Sequence, residues 1–432
     1  MQTKLARIAE IAKENPKEQF TSLYHLLNEE LLTQCHRELD GNKATGVDQV
    51  TKAAYEENLE LNIKDLVERL KRKSYRPQPV RRTYIPKDEK SKRPLGIPSY
   101  EDKIVQLGLN KILQAIYEQD FLNLSYGFRP GRSCHDALKA LNRIIEYGKT
   151  SYIVDADIRS FFTNVNHEWL MKFLGVRVTD PNIQRLIRRF LKAGVMEQGT
   201  WELTETGTPQ GSLISPILAN LYLHYALDLW FEIVVKRACR GDASMIRYAD
   251  DYVCCFQYKD DAERFYQALV KRLAKFDLQI AEEKTKILEF GRFAEENRKR
   301  KGLGKPKTFD FLGFTHYCSK SSKGKFRVKR KTSGKKFKSK VKAFKEWLKA
   351  ERHQDVKRLM KTIRAKLIGH YRYYGVTDNS RALSVYKFQI IKALFKWLNR
   401  RSQRRSFTYD KFNLFLKRNP LPEPKIYVNI YG

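Results

Sequence analysis

The chain has 432 residues, of which 42% are hydrophobic, and it carries a formal net charge of +35 at pH 7. This length suits two or three domains with their own cores, and the excess of positive charge favours a polyanionic partner. No apolar run approaches the roughly 20 residues that span a bilayer, and the first residues lack a signal-peptide core, so we expect nucleic acid rather than a membrane as the partner.

The cysteines indicate the redox compartment of the protein, and the distribution of charge indicates which part of the chain binds a polyanion. The six cysteines form no Cys-x-x-Cys pair, which argues against a zinc site or a disulfide framework and favours a reduced, intracellular protein of the cytoplasm. Residues 1–290 hold 44 basic and 40 acidic residues, whereas residues 291–432 hold 40 basic and 9 acidic ones. The affinity for a polyanion is therefore expected in the last third, after a flexible basic connector at 297–307.

The first part of the chain alternates helical and strand patterns. Ser99 and Asp102 stand in capping-box spacing before an amphipathic pattern, which predicts a helix over 99–118. SYIVDADI (151–158) predicts a strand with its acids on alternate positions, and IRYADDYVCCF (246–256) predicts strand, turn, strand.

Helices are predicted on both sides of the basic connector. An amphipathic helix is predicted over 261–278 before it, and three basic amphipathic helices over 335–350, 356–375 and 384–401 after it. The aromatic and basic residues of HYRYYG lie in the second basic helix, and few acids accompany them. They predict a nucleic-acid-facing bundle through His370, Tyr371, Arg372, Tyr373 and Tyr374.

Four aspartates are candidates for a metal site. An adjacent pair of acids at a hairpin tip is usually a solvated turn, but Asp155 and Asp157 project from one face of another predicted strand. One of these two acids, together with Asp250 and Asp251, would hold two divalent ions roughly 3.5–4 Å apart. Oxygen ligands suit Mg²⁺ better than His or Cys would, with Mn²⁺ as an alternative.

An ordered series of segments resembles the group II intron-encoded reverse transcriptase/maturase family, from about residue 38 to about residue 430. The box IRYADDYV resembles the YADD motif of reverse transcriptases. The other matching segments are, in order, GNKATGVDQV (41–50), YRPQPVRRTYIPKDEKSKRPLGIPSYEDKIVQ (75–106), SYGFRPGRSCHDAL (125–138), VDADIRSFFTNVNH (154–167), GTPQGSLISPILANLYL (207–223), IAEEKTKI (280–287), FDFLGF (309–314) and IRAKLIGHYRYYGV (363–376). Each box alone is weakly specific, and the ordered set is strong.

The resemblance implies an α+β fold shaped like a right hand. It implies an N-terminal extension at 1–60, fingers and an antiparallel, RRM-like palm at 61–315, a helical thumb or X domain at 316–405, and a short basic segment at 406–432. No His/Asn/His or Cys-pair pattern follows the thumb, so the nuclease domain of some family members is expected to be absent.

The resemblance also implies roles for single residues. It assigns the catalytic metals to Asp157, Asp250 and Asp251 rather than to Asp155, because the sugar-sensing aromatic then falls at Phe162. Phe161 and Phe162 also fit a pair of core aromatics, in which one ring is core and the other the gate. Lys87 and Arg93 would neutralise the triphosphate. Gln210 and Gly211 would line the nucleotide.

Two further cations have weaker assignments. Arg129 would contact template or nucleotide, although a surface ion pair suits it nearly as well, and Lys284 would support the palm near the primer end. Two positions depart from the family pattern: Thr163 where Asp is frequent, and Ser212 where a second Gly is common.

The function that follows is an RNA-directed DNA polymerase that also binds intron RNA as a splicing maturase. Its partners would be an RNA template, a DNA primer or target, and dNTPs. Two alternatives stay open: a host-adopted enzyme of repair or defence, and a catalytically silent RNA-binding splicing cofactor.

Overall fold

The structure, a computed structural model, describes residues 2–86, 92–197, 200–202, 205–208, 210–401 and 407–431. The helices are α1 (Gln2–Glu14), α2 (Glu29–Glu38), α3 (Lys52–Glu56), α4 (Leu59–Lys71), α5 (Tyr100–Tyr117), α6 (Cys134–Tyr147), α7 (Phe161–Asn164), α8 (His167–Gly175), α9 (Pro181–Leu191), α10 (Ser215–Leu223), α11 (Lys236–Ala238), α12 (Lys259–Ala274), α13 (Ala294–Arg300), α14 (Gly334–Glu351), α15 (Val356–Tyr374), α16 (Ser380–Leu398) and α17 (Tyr409–Arg418). The strands are β1 (Val80–Pro86), β2 (Lys92–Ile97), β3 (Tyr152–Ala156), β4 (Val195–Glu197), β5 (Thr200–Glu202), β6 (Ala243–Tyr248), β7 (Asp251–Phe256), β8 (Lys286–Glu289), β9 (Phe309–Phe311), β10 (Phe314–Lys320) and β11 (Phe326–Thr332).

Helices and sheets form two compact units, and the predicted α+β class is confirmed. The first unit comprises Met1–Ser133, Ala156–Tyr252 and Asp260–Lys286, and the second comprises Cys134–Asp155, Val253–Lys259 and Ile287–Gly432. The units interleave along the chain, whereas the boundaries predicted from sequence follow one another. That division into extension, fingers and palm, thumb and tail stays a prediction.

The first unit is built around α5 and a sheet of order β2-β1-β4-β5. Strands β1 and β2 are antiparallel, with Ile85 opposite Arg93, and β1 runs parallel to β4. The Ser99 side chain accepts a hydrogen bond from the Asp102 N–H at the start of α5, as the capping-box spacing predicted. The predicted apolar face of this helix is fully buried, at Ile104, Val105, Leu109, Ile112, Leu113 and Ile116.

A second four-stranded sheet has the order β6-β7-β3-β8. Strands β6 and β7 are consecutive and are joined by the two residues Ala249 and Asp250, so the predicted strand, turn, strand is confirmed. Cys254 and Cys255 lie in β7 with 0% and 2% exposure, as small core residues.

The second unit contains the three predicted basic helices, α14, α15 and α16, and an antiparallel sheet of order β11-β10-β9. Leu348, Leu367 and Leu394 contribute one fully buried side chain from each helix. The connector predicted at 297–307 is not extended throughout, because α13 continues to Arg300 and the Leu303 N–H donates to the Arg298 carbonyl at 2.8 Å.

The C-terminal residues belong to the packed part of the second unit. Val428 forms a parallel bridge with Val376, and the Tyr431 hydroxyl donates to the Val328 carbonyl at 3.0 Å and to Asp378. The predicted basic tail at 406–432 therefore includes a helix and a docked strand-like segment. No helix in the described ranges is long and apolar enough to cross a membrane.

Candidate active site

The β6–β7 hairpin presents Asp250 and Asp251 at its tip. Ala249 adopts φ of +57°, a conformation that L-residues rarely take, and its carbonyl accepts a hydrogen bond from the Arg247 guanidinium at 2.9 Å. A Cβ atom on Gly127 would lie 2.3 Å from the Ala249 nitrogen, so only glycine fits beneath the turn. Asp250 is half-buried and Asp251 is exposed.

A buried ion pair supports this hairpin from below. Arg247 and Asp228 are both 0% exposed, and the Arg247 guanidinium binds the Asp228 carboxylate through two nitrogens, Nε at 2.7 Å. The same guanidinium donates to Asn220 Oδ1 at 2.9 Å, and Asn220 in turn donates to the Gly127 carbonyl at 2.7 Å. The network connects α10, the π-helical segment His224–Asp228 that continues it, the hairpin and the Gly127 loop.

Sequence reasoning missed this network, although one signal was present. Arg247 occupies an inward position in a strand of apolar residues, where an arginine is almost never fully buried without a partner. The partner, Asp228, lies 19 positions away and no motif marks it.

Asp157 directly follows β3, where its carbonyl accepts the Ala281 N–H at 2.8 Å. Its carboxylate binds the Lys284 ammonium at 2.8 Å, and this charge raises the pKa of Lys284. The lysine predicted to support the palm is thus an ion-pair partner of the first predicted metal ligand.

Burial and neighbouring charges, including those of other predicted site residues, shift the pKa of the Asp250 carboxyl. Burial raises its pKa above the ordinary value, and the Asp157 carboxylate adds to the rise, while Arg93 and Arg247 oppose it. Asp157 and Arg93 therefore each lie within electrostatic reach of Asp250. Their membership of one shared site stays a prediction.

These carboxylates fit a divalent cation by their chemistry. Their oxygens are the ligands that Mg²⁺ prefers, and the mutual repulsion of Asp157 and Asp250 is the kind that a bound cation removes. In the described ranges no three His, Cys, Asp or Glu side chains are arranged as a ready metal cluster, and Lys284 holds the positive charge beside Asp157.

The paired phenylalanines divide into a core residue and a lining residue. Phe161 is 2% exposed and packs against Tyr222, with ring centroids 6.2 Å apart. Phe162 is half-buried and, with Gln210, lines a cavity of about 90 Å³. In that cavity Gln210 Oε1 and Thr208 Oγ1 are buried with no hydrogen-bond partner among the described residues. Unpartnered polar atoms beside a ring fit a site for a polar ligand.

The backbone at Gly211 requires glycine for a reason that the sequence did not indicate. It adopts φ of +110°, and a Cβ atom there would lie 2.7 Å from the Gly96 carbonyl oxygen, so the close approach to β2 by itself requires glycine. The predicted approach to a nucleotide stays a prediction. Ser212, which replaces a common glycine, is buried and donates to Gln106 Oε1 at 2.7 Å. That departure from the family pattern thus anchors the loop on α5.

The other basic residues predicted for the site differ in their exposure and in their contacts. Arg93 is exposed on β2, whereas Lys87 lies outside the described residues. Arg129 is 7% exposed and pairs with Glu118 at 3.0 Å, while it also donates to the Leu122 carbonyl at 2.7 Å. Arg129 is therefore turned inward as a buried ion pair, and this position does not place it against template or nucleotide.

Most of the aromatic set predicted for nucleic acid is packed inside the second unit. Tyr371 is 0% and Tyr374 4% exposed, and the His370 ring stacks on Tyr386 with centroids 3.7 Å apart. Burial lowers the pKa of His370 to about 4, so this imidazole is neutral at pH 7. Only Arg372 and Tyr373 of the five reach the surface.

Comparison with known proteins identifies the family of the chain. A family profile described as reverse transcriptase (RNA-dependent DNA polymerase) matches residues 85–316, just over half of the chain. The group II intron-encoded protein LtrA of Lactococcus lactis subsp. cremoris is 41% identical over 222 residues, which are 51% of this chain and 37% of that protein. Protein YkfC of Escherichia coli is 37% identical over 187 residues, 43% of this chain and 49% of its own length.

A plant relative is more distant. The mitochondrial protein named nuclear intron maturase 4 of Arabidopsis thaliana is 28% identical over 158 residues, which cover 35% of this chain and 19% of that protein. The matches thus span at most about half the length of these curated relatives.

Proposed function

This chain belongs to the reverse transcriptase (RNA-dependent DNA polymerase) family, in its group II intron-encoded branch, and we propose that it extends a DNA primer with dNTPs on an RNA template. The observation that carries the proposal is the electrostatic coupling of Asp157 and Asp250 over a hairpin that a buried ion pair supports. A solvated turn would need no such support. It would also not bring the acid that follows β3 close to the acid in the β6–β7 turn.

The proposed chemistry assigns one task to each part of the site. Asp157, Asp250 and Asp251 would hold two Mg²⁺ ions, which supply activation of the primer 3′-hydroxyl and neutralisation of the leaving pyrophosphate when bound. Arg93, and Lys87 with it, would bind the triphosphate and orient it for in-line attack. Lys284 would release Asp157 to the metal and keep a positive charge at the primer end.

Two residues would position and select the nucleotide. The Phe162 ring would lie beneath the incoming sugar and exclude a 2′-hydroxyl, which favours dNTPs over rNTPs. The unpartnered Gln210 oxygen would accept a hydrogen bond from the nucleotide, and Gly211 would hold that loop against β2. In this arrangement the first unit would correspond to fingers and palm, and α14–α16 to the thumb.

A second proposed role is RNA binding as a splicing maturase. The strongly basic residues 291–432 support it, as do the printed names of the relatives, which describe intron-encoded proteins and an intron maturase. A host-adopted role in repair or defence would use the same polymerase site, so the DNA that flanks the gene distinguishes the two. A silent RNA-binding cofactor is disfavoured by the supported hairpin.

The test of the proposed polymerase compares templates. Purified protein is incubated with dNTPs, Mg²⁺ and a DNA primer annealed to RNA or to DNA of the same sequence, with and without EDTA. We expect extension on RNA that the chelator abolishes. Extension on the DNA template alone, or extension that persists in EDTA, would contradict the proposal.

A further inference from the structure

In helices α14–α17, the two most exposed aromatic residues lie outside the set that the sequence indicated. Helix α15 turns His370, Tyr371 and Tyr374 into the core. The neighbouring helices α16 and α17 instead present Phe388 and Tyr409 to solvent, with 55% and 66% exposure. Large exposed aromatic rings that serve no core need a partner when they occur together.

These rings belong to a continuous stripe, here called the α16 ridge. Its members share one face of α16, at successive intervals of three and four residues, and continue onto α17. The α16 ridge consists of Arg381, Val385, Phe388, Lys392, Lys396 and Tyr409. All six are exposed.

Tyr409 is held in place by aromatic packing between the two helices. The Phe395 ring, one turn beyond Lys392 on the α16 face, lies 5.8 Å from Tyr409 and 5.1 Å from the buried Phe412. The Tyr409 ring is thereby fixed at the end of the stripe while two thirds of its residue surface stays open. A preformed ring costs little entropy when it binds.

The positive charges of the α16 ridge are not neutralised by ion pairs with acidic side chains in the described part of the chain. Helix α16 contains no acidic residue, and the ridge cations make no ion pair with any carboxylate among the described residues. The Lys392 ammonium lies 5.4 Å from the centre of the Phe388 ring. The Phe388 ring thus has a cation beside it, which is the combination that binds bases by stacking and phosphates by charge.

We propose that the α16 ridge binds a single-stranded RNA segment, with unpaired bases stacked on Phe388 and Tyr409 and phosphates on Arg381, Lys392 and Lys396. The choice of RNA rests on the proposed function, in which template and intron are RNA. The choice of an unpaired strand rests on the rings, because a base inside a duplex offers no free face for stacking.

The experiment measures RNA affinity with the full chain. Fluorescence anisotropy follows a labelled 20-nucleotide oligo(U) RNA, an RNA duplex of equal length, and oligo(dU) as probes. The test variant is Phe388→Ala with Tyr409→Ala, and the matched control is Tyr147→Ala, an aromatic residue of the same unit with 68% exposure. Thermal unfolding of each variant reports whether it is folded.

We expect the double variant to bind the single-stranded RNA at least about tenfold more weakly and the duplex nearly unchanged, with no effect of the control. Lys392→Gln with Lys396→Gln should reduce the slope of log affinity against log salt by about 1.4, since each phosphate contact contributes roughly 0.7. The exposed pair Lys4→Gln with Lys13→Gln in the first unit should leave the slope unchanged.

Three results would overturn the proposal. Equal losses for duplex and single strand would make the ridge a general phosphate contact, and unchanged affinities in a folded variant would show that RNA does not use it. Equal losses for oligo(dU) and oligo(U) would overturn the assignment to RNA. Extension of a short pre-annealed RNA–DNA primer should persist in the Phe388 and Tyr409 variant, so failure of the polymerase and failure of this surface are separable.

Discussion

Asp250 carries a stability cost that its proposed role explains. Burial and the Asp157 charge raise its pKa, so the folded, metal-free protein binds a proton there more readily than the unfolded chain does. Stability contributed by this group is therefore greatest at acid pH and falls as pH rises from the ordinary aspartate pKa through the raised one. The cost is present once the carboxyl is ionised, and a bound cation would remove it.

Replacement of Asp250 by asparagine should consequently stabilise the metal-free protein while it destroys activity. We expect a higher Tm for Asp250→Asn at pH 7 in EDTA, and a smaller gain at pH 4, where the wild-type carboxyl is more protonated. Asp251→Asn is the matched control, because Asp251 is exposed and its charge is less costly. A Tm for Asp250→Asn below that of the wild type at pH 7 would refute this electrostatic account.

Adjacent phenylalanines should respond to mutation in opposite ways. Phe162→Ala is expected to lower the ratio of kcat/KM for dNTP over rNTP by about tenfold or more, with little change in Tm, because Phe162 lines the cavity that we propose for the nucleotide. Phe161→Ala removes a buried ring and should cost about 3–5 kcal/mol of unfolding free energy. Unchanged sugar selectivity in Phe162→Ala would remove the gate from the proposal.

At the scale of elements, the hairpin depends on the Arg247–Asp228 pair. Loss of one partner leaves the other charge buried and unpaired, which costs about 3–5 kcal/mol, so Arg247→Met and Asp228→Leu should each lower the free energy of unfolding by that amount. The double variant should be less destabilised than the sum of the two, as measured by urea unfolding. Additive effects would show that the pair does not act as a unit.

The elements also show what sequence can predict. Local patterns identified α5, the β6–β7 hairpin and α14–α16, because hydrophobic periodicity and capping act over a few residues. The Arg247–Asp228 pair joins residues that no local pattern relates. The motif HYRYYG also does not indicate which side of α15 faces the core. It covers more than one helical turn, so its aromatic rings necessarily point to several sides.

At the scale of the whole molecule, the C-terminal segment is part of the second unit. The Arg327 guanidinium lies 3.9 Å from the Tyr431 ring, and the Tyr427 and Val428 N–H groups donate to the Gly375 carbonyl. Deletion of residues 419–432 should therefore destabilise the helical unit, and Tyr431→Phe, which removes only the hydroxyl contacts, should cost about 1 kcal/mol. Limited proteolysis of the two variants would check this, and equal resistance of the deletion and the wild type would contradict it.

The charge of the whole molecule separates the two proposed tasks. Residues 1–290 are nearly balanced and contain the candidate active site, whereas residues 291–432 carry most of the excess positive charge. Nucleic-acid affinity should thus depend on salt chiefly through the second group of residues, and chemistry chiefly on the aspartates of the first.

The measurement that tests the central claim most directly is the rate of dNTP incorporation on an RNA template by the full chain and by Asp250→Asn, in Mg²⁺ at saturating primer and template. If Asp157, Asp250 and Asp251 form a catalytic metal site, the wild type extends the primer and the variant is slower by at least about a hundredfold. Equal rates, or no extension by the folded wild type, would contradict the account.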